Sequence, residues 1–272
     1  GSFVFSSETC AFDAIKAEFI RDVLPGEMIT INKKGVHAEQ LVAPNLKLDV
    51  FEFIYFARPD SILLGKSVYE VRKNLGIELA KEAKISADIL IPVPDSSIPS
   101  AIGYSQFSKI PLEQVLVKNR YIHRTFIKPA QKQRTSAVQM KLNAITESIK
   151  GKKVAIVDDS IVRGTTSKRL VKMLRDCGAV EIHLLIPAPP VLYPDYYGID
   201  TPTQKELIAA NLTLNKLAEY IGVDSLNFLS LGGMYKAIGI DKGMLCTACF
   251  TGEYPISIGN FSKKIKVPKF SE

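Results

Sequence analysis

A parallel β-sheet flanked by helices, the α/β class, is what this chain predicts, on three observations. The runs "ADILIPVPDSS" (87–97), "KKVAIVDD" (152–159) and "EIHLLIPAPP" (181–190) are short and apolar without alternation, as in strands covered on both faces. Stretches of helical period lie between such runs. The resulting strand, helix, strand order is that of a doubly wound sheet, whose ligands bind beyond the carboxyl ends of the strands.

Taken in order, residues 10–23 read as a helix, and "GEMITINKKGVHAEQLV" (26–42) as a hairpin turning at 33–35. "FEFIYFAR" (51–58) is apolar enough to be a strand. "SVYEVRKNLGIELAKEA" (67–83) places Val68, Val71, Leu75 and Leu79 on one helical face. A buried strand follows at 87–97 and ends in a Pro-rich turn, and "SIPSAIGYSQFS" begins another helix. "LEQVLVKN" is a further strand. Residues 118–143 then carry many bases and little periodicity, a length of irregular chain that usually has a function or is disordered. After "KKVAIVDD" comes a helix with Leu170, Leu174 and Cys177 at helical spacing and Gly178 at the C-cap position.

The 272 residues allow one large or two smaller domains. With 46% hydrophobic and 23% charged residues the balance is globular, and no apolar run is long enough for a membrane span. The opening "GSFVFSSETC" lacks the shape of a signal peptide, so a cytoplasmic location and no membrane partner are expected. Four cysteines do not make a disulfide framework, and the lone Cys246/Cys249 CxxC leaves zinc, iron–sulfur, redox and chance all open. A net charge of +7 favours an anionic partner, either nucleic acid or a polyphosphate metabolite.

"VAIVDDSIVRGTTSKRLVKML" (154–174) decides between them. Asp158 and Asp159 stand at the end of a buried strand, and a loop of small and polar residues leads from them into a helix. A helix N-terminus with free N–H groups holds an anion, and Gly164 allows close backbone approach. There is one glycine and no Gly-Lys-Ser/Thr ending, so this is not a Walker loop. The cradle suits one phosphate and the carboxylates suit hydroxyls or a metal-bound diol, groups that a 5-phosphorylated ribose combines. A helix N-cap role for Asp158 explains only one of the two aspartates.

"VAIVDDSIVRGTT" resembles the phosphoribosyl pyrophosphate (PRPP) signature of the type I phosphoribosyltransferases. "FEFIYFARPDS", "IPVPDSS", "KNRYIHRTFI", "YPDYYGIDTPTQKELIAAN" and "CTACFTGEYP" resemble one branch of that family, the glutamine PRPP amidotransferases, over nearly the whole chain from "SSETCAFD" onward. The resemblance implies the type I phosphoribosyltransferase fold. It implies transfer of ammonia to C1 of PRPP, giving 5-phosphoribosylamine and pyrophosphate in purine synthesis. The alternative is a non-catalytic PRPP- or nucleotide-sensing regulator on the same fold.

Residue by residue, the resemblance assigns the ribose hydroxyls to Asp158 and Asp159. The 5-phosphate falls to Ser160, Ile161, Val162, Arg163, Gly164, Thr165 and Thr166, largely through backbone N–H. Pro94, Asp95, Ser96 and Ser97 would cradle pyrophosphate, with Mg²⁺ at Ser96, Asp158 and Asp159. Lys118, Arg120, Tyr121 and Arg124 would meet the leaving pyrophosphate from a closing loop. Bond cleavage at C1 builds charge on that group, so basic residues are needed there. Alone, the bases and aromatics of 118–134 would equally suit nucleic acid; beside the aspartate pair they favour pyrophosphate, and no nucleic-acid partner is expected. His123 departs from the small residue usual in this loop.

The family also carries an N-terminal glutaminase. Residues 1–42 resemble only its last helix and hairpin, and 43–272 the phosphoribosyltransferase domain. The expected partners are PRPP, ammonia, the missing glutaminase half in cis or in trans, purine nucleotides as inhibitors, and further copies of the chain. Some members hold an iron–sulfur cluster on four cysteines, whose positions here correspond to Asp49, Asp195, Cys246 and Cys249. An empty site ranks first, zinc on two thiolates and two carboxylates second, and a carboxylate-ligated cluster last, because clusters prefer thiolate.

Overall fold

The computed structural model describes residues 2–119, 142–199, 201 and 203–271. A short helix α1 (Cys10–Ile15) precedes the hairpin of β1 (Glu27–Asn32) and β2 (Gly35–Gln40). The hairpin register pairs Asn32 with Gly35, and Lys34 N donates to Asn32 Oδ1 across the turn at 2.7 Å. The helix expected over 10–23 stops after one and a half turns. Lys16 takes φ 55°, the left-handed conformation that closes a helix.

The core is a four-stranded parallel sheet. Its strands are β4 (Ile89–Pro92), β5 (Lys153–Val157), β6 (Glu181–Ile186) and β7 (Ser225–Phe228), following the short β3 (Leu48–Asp49). Every residue of β4 is buried, as are Val154, Ala155, Ile156 and Val157 of β5. The absence of alternation is therefore accounted for by cover on both faces. Beyond β4, on the side away from β5, the segment around Leu112 runs alongside: Leu90 N donates to Pro111 O and Glu113 N to Leu90 O. The chain thus leaves β4 to one side and returns through β5 on the other. Such a reversal opens a crevice at the carboxyl ends of the two strands.

Helix α2 (Val68–Glu82) is capped by Ser67, whose hydroxyl accepts from Glu70 N, and buries Val68, Val71, Leu75 and Leu79 as expected. It crosses α3 (Ile98–Ser108) at backbone contact. A Cβ at Gly76 would lie 1.8 Å from Ser100 O, and one at Gly103 1.9 Å from Lys73 O. Helix α4 (Thr165–Asp176) follows β5 and packs with α5 (Leu214–Ile221); α6 (Leu231–Ile238) packs on α2. Gly178 closes α4 at φ +90°, as the sequence predicts.

"FEFIYFAR" is not a strand. Glu52–Phe56 form a π-helical turn, and Ala57 N donates back to Glu52 O. The cause lies elsewhere in the chain. The buried Arg72 of α2 donates from Nε to Phe53 O at 2.7 Å and from Nη2 to Ala57 O at 2.8 Å, satisfying two carbonyls that the turn leaves open. Before this turn, β3 pairs in parallel with β8 (Leu245–Cys246), setting Asp49 opposite Cys246.

Candidate functional site

Asp158 and Asp159 follow β5, and the Pro94, Asp95, Ser96, Ser97 turn follows its neighbour β4. Pro92 and Val157 are register partners, and Val93 N donates to Val157 O at 2.9 Å, so the two loops leave the sheet side by side. Ser96 Oγ donates to Asp159 Oδ2 at 2.5 Å and Ser160 Oγ to Asp159 Oδ1 at 2.7 Å. Asp158 Oδ1 accepts from Asp159 N at 3.1 Å.

Burial pushes both carboxyls up, Asp158 well above the ordinary carboxylate range, with the charge of Asp159 adding to it. The hydroxyls of Ser96 and Ser160 and the nearby Arg72 guanidinium pull Asp159 part of the way back. Two adjacent carboxyls, Asp158 buried and Asp159 partly buried, and a hydroxyl offer only hard oxygen donors, and a divalent cation would relieve their repulsion. The donor set therefore fits Mg²⁺.

The loop after Asp159 reaches α4 through Gly164, at φ +70°. No side chain caps that helix, so its first N–H groups remain available to an anion. Thr165 and Thr166 are exposed beside them, while Ile161 is buried and anchors the loop. Arg163 does not point its charge at this cradle: its Nε donates to Glu206 Oε2 at 2.8 Å, and its Nη2 bonds the same oxygen. Lys118 Nζ bonds Asp95 Oδ2 at 2.7 Å, which brings Lys118 to the 94–97 turn. Arg120, Tyr121, His123 and Arg124 lie outside the described residues.

Sequence reasoning missed Arg72 and Glu206. Arg72 is 2% exposed and lies within Coulombic reach of Asp159. A signal existed, since position 72 shares the apolar face of Val68, Leu75 and Leu79. Glu206 gave none, because its partner Arg163 is 43 residues away.

Asp49, Asp195, Cys246 and Cys249 do come together. Asp49 Oδ1 accepts from Phe51 N, Asp195 Oδ1 from Tyr197 N and Ile199 N, and Cys249 O from Leu192 N and Tyr193 N. Burial raises Asp49 to about 7, and the neighbouring Asp195 carboxyl adds to the shift. Asp195 Oδ2 is buried and accepts no bond from any other donor. A protonated Asp49 beside it would supply a donor. Burial and the two carboxyls also push the thiols of Cys249 and Cys246 up, keeping them protonated. A cluster or zinc would need thiolates. Among the described residues no group of three or more His, Cys, Asp or Glu side chains is placed to hold a metal ion. Two carboxylates in place of thiolates do not suit an iron–sulfur cluster, and the four side chains are not placed to hold zinc.

The strand end, acidic pair and anion loop lie within residues 61–201, which match the phosphoribosyl transferase domain, and the chain belongs to that family. Its curated relatives are more particular. It is 51% identical over 266 residues to the amidophosphoribosyltransferase of Synechococcus elongatus, covering 97% of this chain and 54% of that protein. It is 49% identical to that of Bacillus subtilis, covering 94% and 55%. The solved B. subtilis glutamine PRPP amidotransferase complexed with ADP and GMP superposes with a TM-score of 0.85 at 48% identity, over 96% of this chain and 58% of that one. The chain thus spans about half the length of the curated relatives it matches. No helix among the described residues is long and apolar enough to cross a membrane.

Proposed function

We propose that this chain transfers ammonia to C1 of PRPP, releasing pyrophosphate and forming 5-phosphoribosylamine. The observation that carries the reading is the meeting of Ser96 with Asp159 beside an uncapped helix N-terminus, at the ends of adjacent parallel strands. The acidic pair holds the ribose hydroxyls, and the N–H groups of 160–166 hold the 5-phosphate. Pro94, Asp95, Ser96 and Ser97 receive the pyrophosphate, and Lys118 moves from Asp95 to meet its charge. Ser96, Asp158 and Asp159 would hold Mg²⁺, which supplies positive charge to the leaving group. Ammonia is already a nucleophile, so no covalent intermediate is needed. In this reading Arg120 and Arg124 would meet the leaving pyrophosphate with positive charge and Tyr121 with its hydroxyl.

Residues 1–42 belong in this reading to the end of a glutaminase part that supplies the ammonia, in cis or in trans, and 43–272 to the transferase. Exposure of Phe3, Phe5, Ile20 and Val42 supports a partner surface there. Purine nucleotides act as inhibitors, as the relative complexed with ADP and GMP suggests. The working form is a cytoplasmic homo-oligomer.

The test is pyrophosphate release from PRPP and Mg²⁺ with ammonium, with glutamine, or with no amine. Release that needs ammonium and ignores glutamine supports an ammonia-dependent transferase. Equal release with glutamine would overturn the division at residue 42. PRPP binding without release under any condition would favour a regulator.

A further inference from the structure

The phosphoribosyl transferase domain match ends at residue 201, yet the loop proposed to hold phosphate is gripped by the residues just beyond it. Ile208 N donates to Val162 O at 2.9 Å. The Ile208 side chain lies against Gly164: a Cβ on that glycine would sit 3.0 Å from Ile208 Cδ1 and 3.5 Å from Tyr220 Cε1. Glu206 receives Arg163 through Nε and Nη2, and Thr203 Oγ1 donates to its other oxygen at 3.1 Å. Asn211 Nδ2 donates to Gln204 O and Leu207 O at 2.9 and 2.7 Å, closing the segment on itself. One turn further, Lys168 of α4 stands 4.0 Å from the ring centroid of Tyr220 on α5.

These contacts meet the loop in three ways: at its backbone carbonyl, beneath its glycine, and at its only cationic side chain. We propose that segment 203–211 is a brace that holds the phosphate loop in its anion-ready shape, with Glu206 as the positioning residue. The inference rests on reading 160–166 as the 5-phosphate cradle. An anion site made of backbone N–H groups works only if those groups already converge, because each disordered residue must be ordered on binding at an entropic cost. Glu206 holds the Arg163 side chain beside the cradle, so Arg163 serves as a rivet for the loop rather than as a ligand. Ile208 fills the space that Gly164 leaves, and so supports the left-handed turn from outside.

The experiment compares wild type, Glu206→Gln and Ile208→Ala in steady-state pyrophosphate release, and by calorimetric titration with ribose 5-phosphate in the absence of metal. Glu206→Gln should raise KM for PRPP about three- to tenfold and leave kcat within about twofold, the pattern of lost ground-state binding. Its ribose 5-phosphate Kd should rise by a similar factor, and Ile208→Ala should weaken both in the same sense. Adding Arg163→Met to Glu206→Gln should cost no more than either change alone, since both remove one contact. An unchanged KM and Kd in Glu206→Gln, or an equal fall in kcat and melting temperature, would overturn the brace. If wild type bound ribose 5-phosphate without releasing pyrophosphate, the proposed reaction would fail while the brace was still decided by the Kd values. Wild type that did not bind ribose 5-phosphate would overturn both.

Discussion

Two pairs of aspartates, each with one buried and one partly buried member, are built differently in this molecule. Asp158 and Asp159 are neighbours in sequence at a strand end. Hydroxyls from Ser96 and Ser160 point at Asp159 and the Arg72 charge lies nearby, so Asp159 is drawn back toward the ionised form. Asp49 and Asp195 come from distant segments and meet beside two thiols, where among the described residues no cation is paired with either carboxyl and Lys47 acts on Cys246. In the first pair Asp158 stays raised by burial while Asp159 has partners that favour its charge; in the second, burial and the neighbouring carboxyl raise Asp49 with no such partner for its charge but the Phe51 N–H. Buried carboxyls mark a functional site only when the surroundings favour ionisation and a ligand has a way in.

The contrast is tested most severely by neutralising each pair in turn. Asp159→Asn and Asp158→Asn should each lower kcat/KM for pyrophosphate release about 100-fold or more, on the order of 3 kcal/mol of transition-state stabilisation. Their melting temperatures should not fall, because the repulsion between two adjacent carboxyls has been removed. A fall in stability with activity kept would make the first pair structural.

The second pair should show the reverse. An unfolded aspartate titrates near 3.9, and folded Asp49 near 7. Between those values the folded chain holds a proton that the unfolded chain has lost. The stabilisation is complete below about pH 4 and disappears as pH rises through about 7, with a size of about 2 kcal/mol after allowance for solvent relaxation. Denaturant melts at pH 5 and pH 8 should show a smaller loss in Asp49→Asn, whose amide keeps the donor at every pH, than in the wild type; the raised carboxyls of Asp158 and Asp159 account for what remains. Pyrophosphate release by Asp49→Asn should match wild type. A variant as pH-sensitive as wild type would place the proton elsewhere.

The smallest effect belongs to the thiols. Cys249→Ala should cost about 1 kcal/mol, the loss of a small buried group. Alkylation of Cys249 in the folded chain should be slow at pH 7, since the thiolate is the reactive form. Rapid labelling in the folded state would contradict a protonated, enclosed thiol.

The first pair could be read from the sequence because everything defining it is local: an unalternating strand, two acids, a glycine and a helix. The second was found only through resemblance, since nothing near Asp49 refers to Asp195. Residues 51–58 were misread because an unbroken apolar run satisfies a strand and a helix alike, and Arg72, which decides between them, is fifteen residues beyond Ala57. Helix α1 ended early because the tertiary cover that the pattern assumed is missing: Cys10 is the one buried residue in the helix, Ile15 is exposed, and residues 18–24 are exposed beyond it. Glu206 stayed hidden because a charge pair across 43 residues leaves no periodicity.

The crossing of α2 and α3 bears on all of this. Gly76 and Gly103 let the two backbones touch, so the spacing between the helices is set by atoms that have no rotamers. Ser96 stands two residues before α3, which makes that helix a mounting with no soft washer in it. Thermal rattling of side chains cannot be passed on to the hydroxyl that meets Asp159, and a single added methyl at either glycine would shift the whole mounting at once.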